Sequence, residues 1–157
     1  MIKKIGDVDI DRILLEIEIL PDFKKDQVIL QTVKGCTDNE YGIGKSTLLK
    51  HKENEFVEPI YHMPYLNSLL KELNWSRTRL MRVKSKSNYT WHYDGTCRAH
   101  IPLITNEHNF FIIEDQIYKM PADGGIYIAD TTKCHTFVNA SLDDRIHIVG
   151  ASTEIKV

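Results

Sequence analysis

His92 and Asp94 stand two residues apart in the stretch Thr90-Trp91-His92-Tyr93-Asp94-Gly95. If this stretch is a strand, alternation puts the imidazole and the carboxylate on one face. Two such groups can grip one metal ion. His135 is the best-placed third ligand. It follows Gly124-Gly125-Ile126-Tyr127-Ile128-Ala129-Asp130, which reads as strand then turn, and it opens another strand. Two imidazoles and one carboxylate on one side of an ion leave three octahedral positions open, as non-haem Fe(II) oxygenases require. Two of those positions suit a chelating co-substrate and one suits O2. His51, His62 and His108 have no metal-ligand spacing.

A co-substrate with two carboxylates needs a cationic seat. Arg145 lies ten residues after His135, in Arg145-Ile146-His147-Ile148-Val149. Alternation puts Arg145, His147 and Val149 on one face and the two isoleucines on the other. Arg98 and His100 behave alike, alternating with Ala99 and Ile101. An arginine on the inside of a small barrel needs an anionic partner, because a buried unpaired charge is costly. Two arginines and a histidine near a metal therefore suit a dicarboxylate.

The elements that must hold these groups divide the chain in two. Residues 1–75 read as a mixed, helical N-terminal cap. Apolar positions Ile10, Ile13, Leu14, Ile17 and Leu20 predict a helix over 7–20, capped by Asp9 or Asp11 and stopped by Pro21. Residues 28–33 read as a strand, 35–46 as a loop, and 61–73 as a helix with Pro64 in its first turn. From Arg77 onward, short alternating runs recur between turn residues: 79–83, 89–93, 98–104, 110–113, 116–120, 126–129, 135–138 and 145–149. Many short strands at even spacing predict a sandwich or barrel. The chain is expected to be one domain, 1–157, with its β core over 76–152.

With these blocks in view, the segment from about Trp75 to Ser152 resembles the aspartyl/asparaginyl β-hydroxylase family of Fe(II)- and 2-oxoglutarate-dependent oxygenases. The matching blocks are Arg79-Leu80-Met81-Arg82, His92-Tyr93-Asp94, Arg98-Ala99-His100-Ile101-Pro102-Leu103, Gly124 to Asp130, His135-Thr136-Phe137-Val138-Asn139 and Asp144-Arg145-Ile146-His147-Ile148-Val149. The resemblance implies a mainly β, double-stranded β-helix (jelly roll). It implies iron on His92, Asp94 and His135, and Arg145 on the distal carboxylate of 2-oxoglutarate. Arg98 and His100 would help to hold that co-substrate, and O2 completes the set. The vertebrate members have glycine where this chain has Asp94. The full triad therefore resembles the bacterial amino-acid hydroxylase branch, with a free amino acid or a side chain as substrate.

Composition sets the outer bounds. A net charge of -2 and a pI near 6.4 give no reason to expect nucleic acid or an anionic membrane as partner. Cys36, Cys97 and Cys134 lack metal-site or disulfide spacing and read as reduced thiols. The N-terminus has no clean apolar core of a signal peptide, and the expected location is cytoplasmic. Gly42-Ile43-Gly44-Lys45-Ser46-Thr47 looks like the tail of a phosphate-binding loop, but Asn39 occupies the place of its first glycine. It reads as a surface turn with an exposed lysine. Two rivals stand beside the oxygenase: a cupin-like metal barrel without redox chemistry, for which HxD is the wrong pair, and a non-catalytic binding module.

Overall fold

The computed structural model describes residues 1–152, apart from the Ser46 side chain. Along them run β1 (Ile2–Asp7), α1 (Ile10–Glu16), β2 (Gln27–Ile29), β3 (Gln31–Thr32), β4 (Glu58–Pro59), α2 (Pro64–Glu72), β5 (Ser76–Val83) and β6 (Ser87–Asn88). There follow β7 (Cys97–Ile104), β8 (Asn109–Ile113), β9 (Gln116–Tyr118), β10 (Gly125–Ala129), β11 (His135–Asn139) and β12 (Arg145–Ser152). Short 3-10 turns occupy Ile17–Ile19, Ser46–Leu48 and Glu53–Glu55.

From β5 on, the chain passes back and forth between two antiparallel sheets. The larger has the order β1-β10-β7-β12-β5-β2, and the smaller β6-β11-β8-β9. This alternation is the double-stranded β-helix expected from the sequence. β3 and β4 form a separate two-stranded ribbon.

The N-terminal region supplies both helices and also extends the large sheet. β1 pairs with β10 and β2 with β5, so the sheet's two edges come from the first third of the chain. α1 is shorter than the periodicity of 7–20 predicts. Asp9 caps it by accepting from the Arg12 N–H at 3.2 Å, and the chain relaxes into a 3-10 turn after Glu16. Glu16 then caps α2, its carboxylate accepting from the N–H groups of Tyr65 (2.7 Å) and Leu66 (2.8 Å). That carboxylate satisfies two of the unpaired donors at a helix N-terminus. Pro64 sits at the start of α2, as its missing N–H allows.

Two apolar clusters hold the layers together. Ile13, Leu66, Leu70 and Trp75 pack on the outer face of the large sheet, against Leu80, Ile101, Ile128 and Ile148. Val83, Phe111, Ile113, Tyr127 and Phe137 form a smaller cluster between the sheets. Cys36, Cys97 and Cys134 form no disulfide among the described residues and are half-buried. Among the described residues no helix is long and apolar enough to cross a membrane.

Candidate active site

The stretch carrying His92 and Asp94 is not the regular strand its alternation predicts. β6 ends at Asn88, opposite Val138, and the next bridge joins His92 to His135. Four steps on one strand thus face three on the other, so the stretch carries one extra residue. Such a bulge re-aims side chains and is common beside active sites. Backbone hydrogen bonds still pin it: His92 and His135 exchange N–H···O bonds at 3.1 and 3.0 Å, and the Asp94 N–H reaches the Thr131 carbonyl at 2.8 Å. Trp91 and Tyr93 turn outward and are exposed.

The bulge brings the three expected ligands together. One ligand atom from each of His92, Asp94 and His135 lies within 4.8 Å of the others. His135 Nε2 is 3.6 Å from Asp94 Oδ2, and the two imidazole centroids are 4.2 Å apart. Each ring turns its Nδ1 to a backbone carbonyl, His92 to Thr90 at 2.7 Å and His135 to Lys133 at 2.9 Å. Nδ1 therefore carries the proton on both rings, and both Nε2 lone pairs are left for a metal. Burial pushes the His135 imidazole below its usual range, so it is the neutral form a metal needs. Two imidazoles and a carboxylate fit Fe(II).

Behind Asp94 lies a network that the sequence does not reveal. Arg98 Nε approaches Asp94 Oδ2 at 3.2 Å. Its terminal nitrogens grip Glu53 in a fork, Nη1 to Oε2 at 3.0 Å and Nη2 to Oε1 at 2.8 Å, and Nη1 also reaches Thr96 Oγ1 at 2.6 Å. Glu53 receives a further bond from Arg77 Nη1 at 3.0 Å. Burial pushes the Glu53 carboxyl up, but the Arg98 and Arg77 guanidiniums outweigh it and hold it below the ordinary range. The sequence places Arg98 at the co-substrate seat; the structure puts it at the cavity wall with most of its donors spent on Asp94, Glu53 and Thr96.

Arg77 clamps the N-terminal loops to this network, donating to the carbonyls of Gly42 at 2.9 Å and Gly44 at 2.7 Å. Its own backbone is left-handed, φ 48°, an uncommon state for a bulky residue and one that clusters at functional sites. The glycine loop is thus more than a surface turn: Gly44, Lys45 and Thr47 border the cavity that the metal ligands line.

That cavity, about 700 Å³, runs inward between the sheets to Arg145. Arg145 is 2% exposed, and no carboxylate among the described residues pairs with it. Its guanidinium lies 3.8 Å from the Phe137 ring centroid, its Nη2 is 2.5 Å from His147 Nδ1, and its Nε has no partner. Arginine only donates, so His147 Nδ1 accepts and Nε2 carries the proton. His147 Nε2 is also buried without a partner, whereas His100 turns its Nδ1 to the accepting His147 Nδ1 at 3.4 Å. Burial pushes Arg145 down to about 9. A guanidinium does not give up its proton, so the buried charge calls for an anion. Buried unpaired donors around a cation fit a dicarboxylate such as 2-oxoglutarate.

Fold and site together define a jelly-roll protein with a clustered His-Asp-His set and a cationic cavity behind it. A family model of aspartyl/asparaginyl β-hydroxylases matches residues 10–151. The chain belongs to that family and is an enzyme, a hydroxylase whose cofactors are Fe(II), 2-oxoglutarate and O2. Among solved structures, a 2OG-Fe(II) oxygenase family oxidoreductase from Burkholderia pseudomallei is similar in fold. It has a TM-score of 0.61 and 13% identity, over 91% of this chain and 76% of that one. No curated protein matches the chain by sequence.

Proposed function

We propose that the protein hydroxylates a C–H bond of an amino acid or of an amino-acid side chain, and that residues 1–157 act as one oxygenase domain. Residues 76–152 form the β core in this reading, and residues 1–75 complete the site with Glu53 and the glycine loop. The observation that carries it is the convergence of His92, Asp94 and His135 at the mouth of a cavity that ends on the unpaired Arg145.

His92, Asp94 and His135 would hold the metal at the wall of the cavity. Bound there, Fe(II) lets O2 oxidise 2-oxoglutarate to succinate and CO2, one oxygen atom entering succinate and the other entering the substrate C–H as hydroxyl. Arg145 takes the distal carboxylate of 2-oxoglutarate, and His147 holds the guanidinium in line for it. His100 stands beside His147 on the same wall, its Nδ1 turned to His147 Nδ1 at 3.4 Å. Arg98 serves the seat from behind by aiming Asp94, while Glu53 keeps Arg98 in place. The buried aromatic pair Phe111 and Phe137 keeps the deep end dry. Three cysteines that form no disulfide suit a reducing compartment, the cytoplasm.

Anaerobic addition of Fe(II) and 2-oxoglutarate will give a weak visible charge-transfer band, and admitting O2 with the right amino acid will accelerate succinate release. A protein that shows neither the band nor succinate is not an oxygenase.

A further inference from the structure

The cavity contains a second buried cation that neither the metal ligands nor the Arg145 seat uses. Arg79 is 7% exposed and lines the cavity. Its Nε has no partner, and its Nη1 donates to the neutral Gln27 Oε1 at 3.1 Å. No salt bridge joins it to a carboxylate among the described residues. It occupies a different place from Arg145. Arg79 stands opposite Val149 across β12, whereas Arg145 stands opposite Val83, four residues further along β5; that is roughly 13 Å of strand. Arg145 lies against Phe137 and His147 at the deep end. Arg79 lies within the influence of Arg77, Arg98, Glu53 and Asp94, at the metal end.

The wall around Arg79 comes from the N-terminal region. Gln27 Oε1 also accepts from the Gly44 N–H at 3.4 Å, which ties β2 to the glycine loop. Gly44, Lys45 and Thr47 face the same space. A buried guanidinium with no resident anion is costly unless an anion arrives to pair with it. The two carboxylates of 2-oxoglutarate are already accounted for, one at Arg145 and one at the metal. The remaining candidate is a carboxylate of the second substrate.

We propose that Arg79, with Gln27 and the wall of Gly44, Lys45 and Thr47, is the substrate seat, and that it takes a small carboxylic acid by its carboxylate. This rests on the oxygenase reading of the same cavity. The anionic head is held at Arg79, and the substrate's C–H bonds extend from it toward the metal ligands.

The test separates the two anions. The 2-oxoglutarate seat is read from the anaerobic Fe(II) charge-transfer band. The second seat is read from melting-temperature shifts of the Zn(II)- and 2-oxoglutarate-loaded protein with a panel of L-amino acids and their matching carboxamides. We expect at least one free acid to raise the melting temperature while its carboxamide does not. Arg79→Gln should weaken that acid at least about tenfold, with the 2-oxoglutarate titration staying within about twofold. Gln27→Glu covers the case in which Arg79→Gln folds poorly. It places a fixed carboxylate beside Arg79, so it should raise the unliganded melting temperature and weaken the acid together. The proposal is overturned if Arg79→Gln weakens 2-oxoglutarate tenfold, which would assign Arg79 to the co-substrate. It is equally overturned if acids and carboxamides shift melting alike, or if no acid shifts it. Absence of the charge-transfer band in the wild type would instead remove the oxygenase reading itself, and the seat with it.

Discussion

The two faces of the large sheet are built from the same strands and have opposite characters. On the outer face, Leu80 of β5, Ile101 of β7 and Ile148 of β12 are buried against α1 and α2. On the inner face, an odd number of residues away along each strand, stand Arg79, His100, Arg145 and His147, buried like them but polar. Period-two alternation alone separates them. Burying apolar area gives about 25 cal/mol per Å², whereas a buried unpaired cation costs several kcal/mol. The outer face therefore holds the fold, and the inner face keeps unpaired donors that only a ligand satisfies. The N-terminal region serves both faces: α1 and α2 cover the outer one, while Gln27 and Glu53 reach the inner one.

Substitutions on the two faces should separate stability from ligand binding. The largest effect expected is on turnover. His92→Ala removes a ligand from a half-exposed bulge, so Fe(II)- and 2-oxoglutarate-dependent succinate release falls to background while the melting temperature moves by less than about 2 °C. A similar loss of stability would place His92 in the fold. Next come paired changes on β12. Ile148→Ala should cost about 2–5 kcal/mol in urea unfolding and leave 2-oxoglutarate affinity within twofold. Arg145→Met should do the reverse, weakening 2-oxoglutarate about a hundredfold with stability unchanged or raised, as when a buried charge is replaced by an apolar group. If Arg145→Met destabilises as Ile148→Ala does, the two faces are not functionally distinct. Smaller again is Glu53→Gln, which frees Arg98 from its fork. Fe(II) affinity should fall about 10- to 100-fold, the usual reach of a group behind a metal ligand, and more than 2-oxoglutarate affinity does.

Alternation made much of this inner face legible. Arg145-Ile146-His147-Ile148 and Arg98-Ala99-His100-Ile101 announce their two faces in one line of text, and both strands form as expected. What pairs across long gaps was not legible. β1, Ile2–Asp7, carries Lys3 and Lys4 at exposed positions and finds its partner β10 more than a hundred residues away. Edge strands need no apolar alternation, so periodicity passes over it. Glu53 lies in a 3-10 turn without any motif, and only the fold brings it to Arg98. Arg79 stood in a matching block, yet its need for an anion appears only once its neighbours are known to be Gln27, Arg77 and Val149. The His92 bulge is also a product of the pairing, since one inserted residue leaves no local signature.

The smallest effect expected is on stability against pH, and it also separates the faces, because the buried outer residues Leu80, Ile101 and Ile148 do not titrate. His100 and His147 are fully buried, and burial together with the Arg145 charge pushes both imidazoles well below 6.5. Arg98 and His135 add to the effect on His100. In the unfolded chain both bind a proton near 6.5; in the folded protein neither does. The unfolded state therefore takes up more protons as pH falls, and stability drops. It is full above about pH 6.5 and declines below it, by up to about 1.4 kcal/mol per pH unit for each imidazole. Glu53 adds a later loss, since a carboxyl held below its usual range withdraws its contribution only under about pH 4.3. Urea unfolding at about pH 7.5 and 5.5 isolates the histidines. His147→Asn, which cannot titrate, should remove a clear share of the difference between the two pH values, with His100 and His135 carrying the rest. A wild-type protein equally stable at both would mean that these imidazoles take up protons in the folded state. They would then carry charge beside Arg145, and the deep end could not be the dry, donor-lined seat described for 2-oxoglutarate.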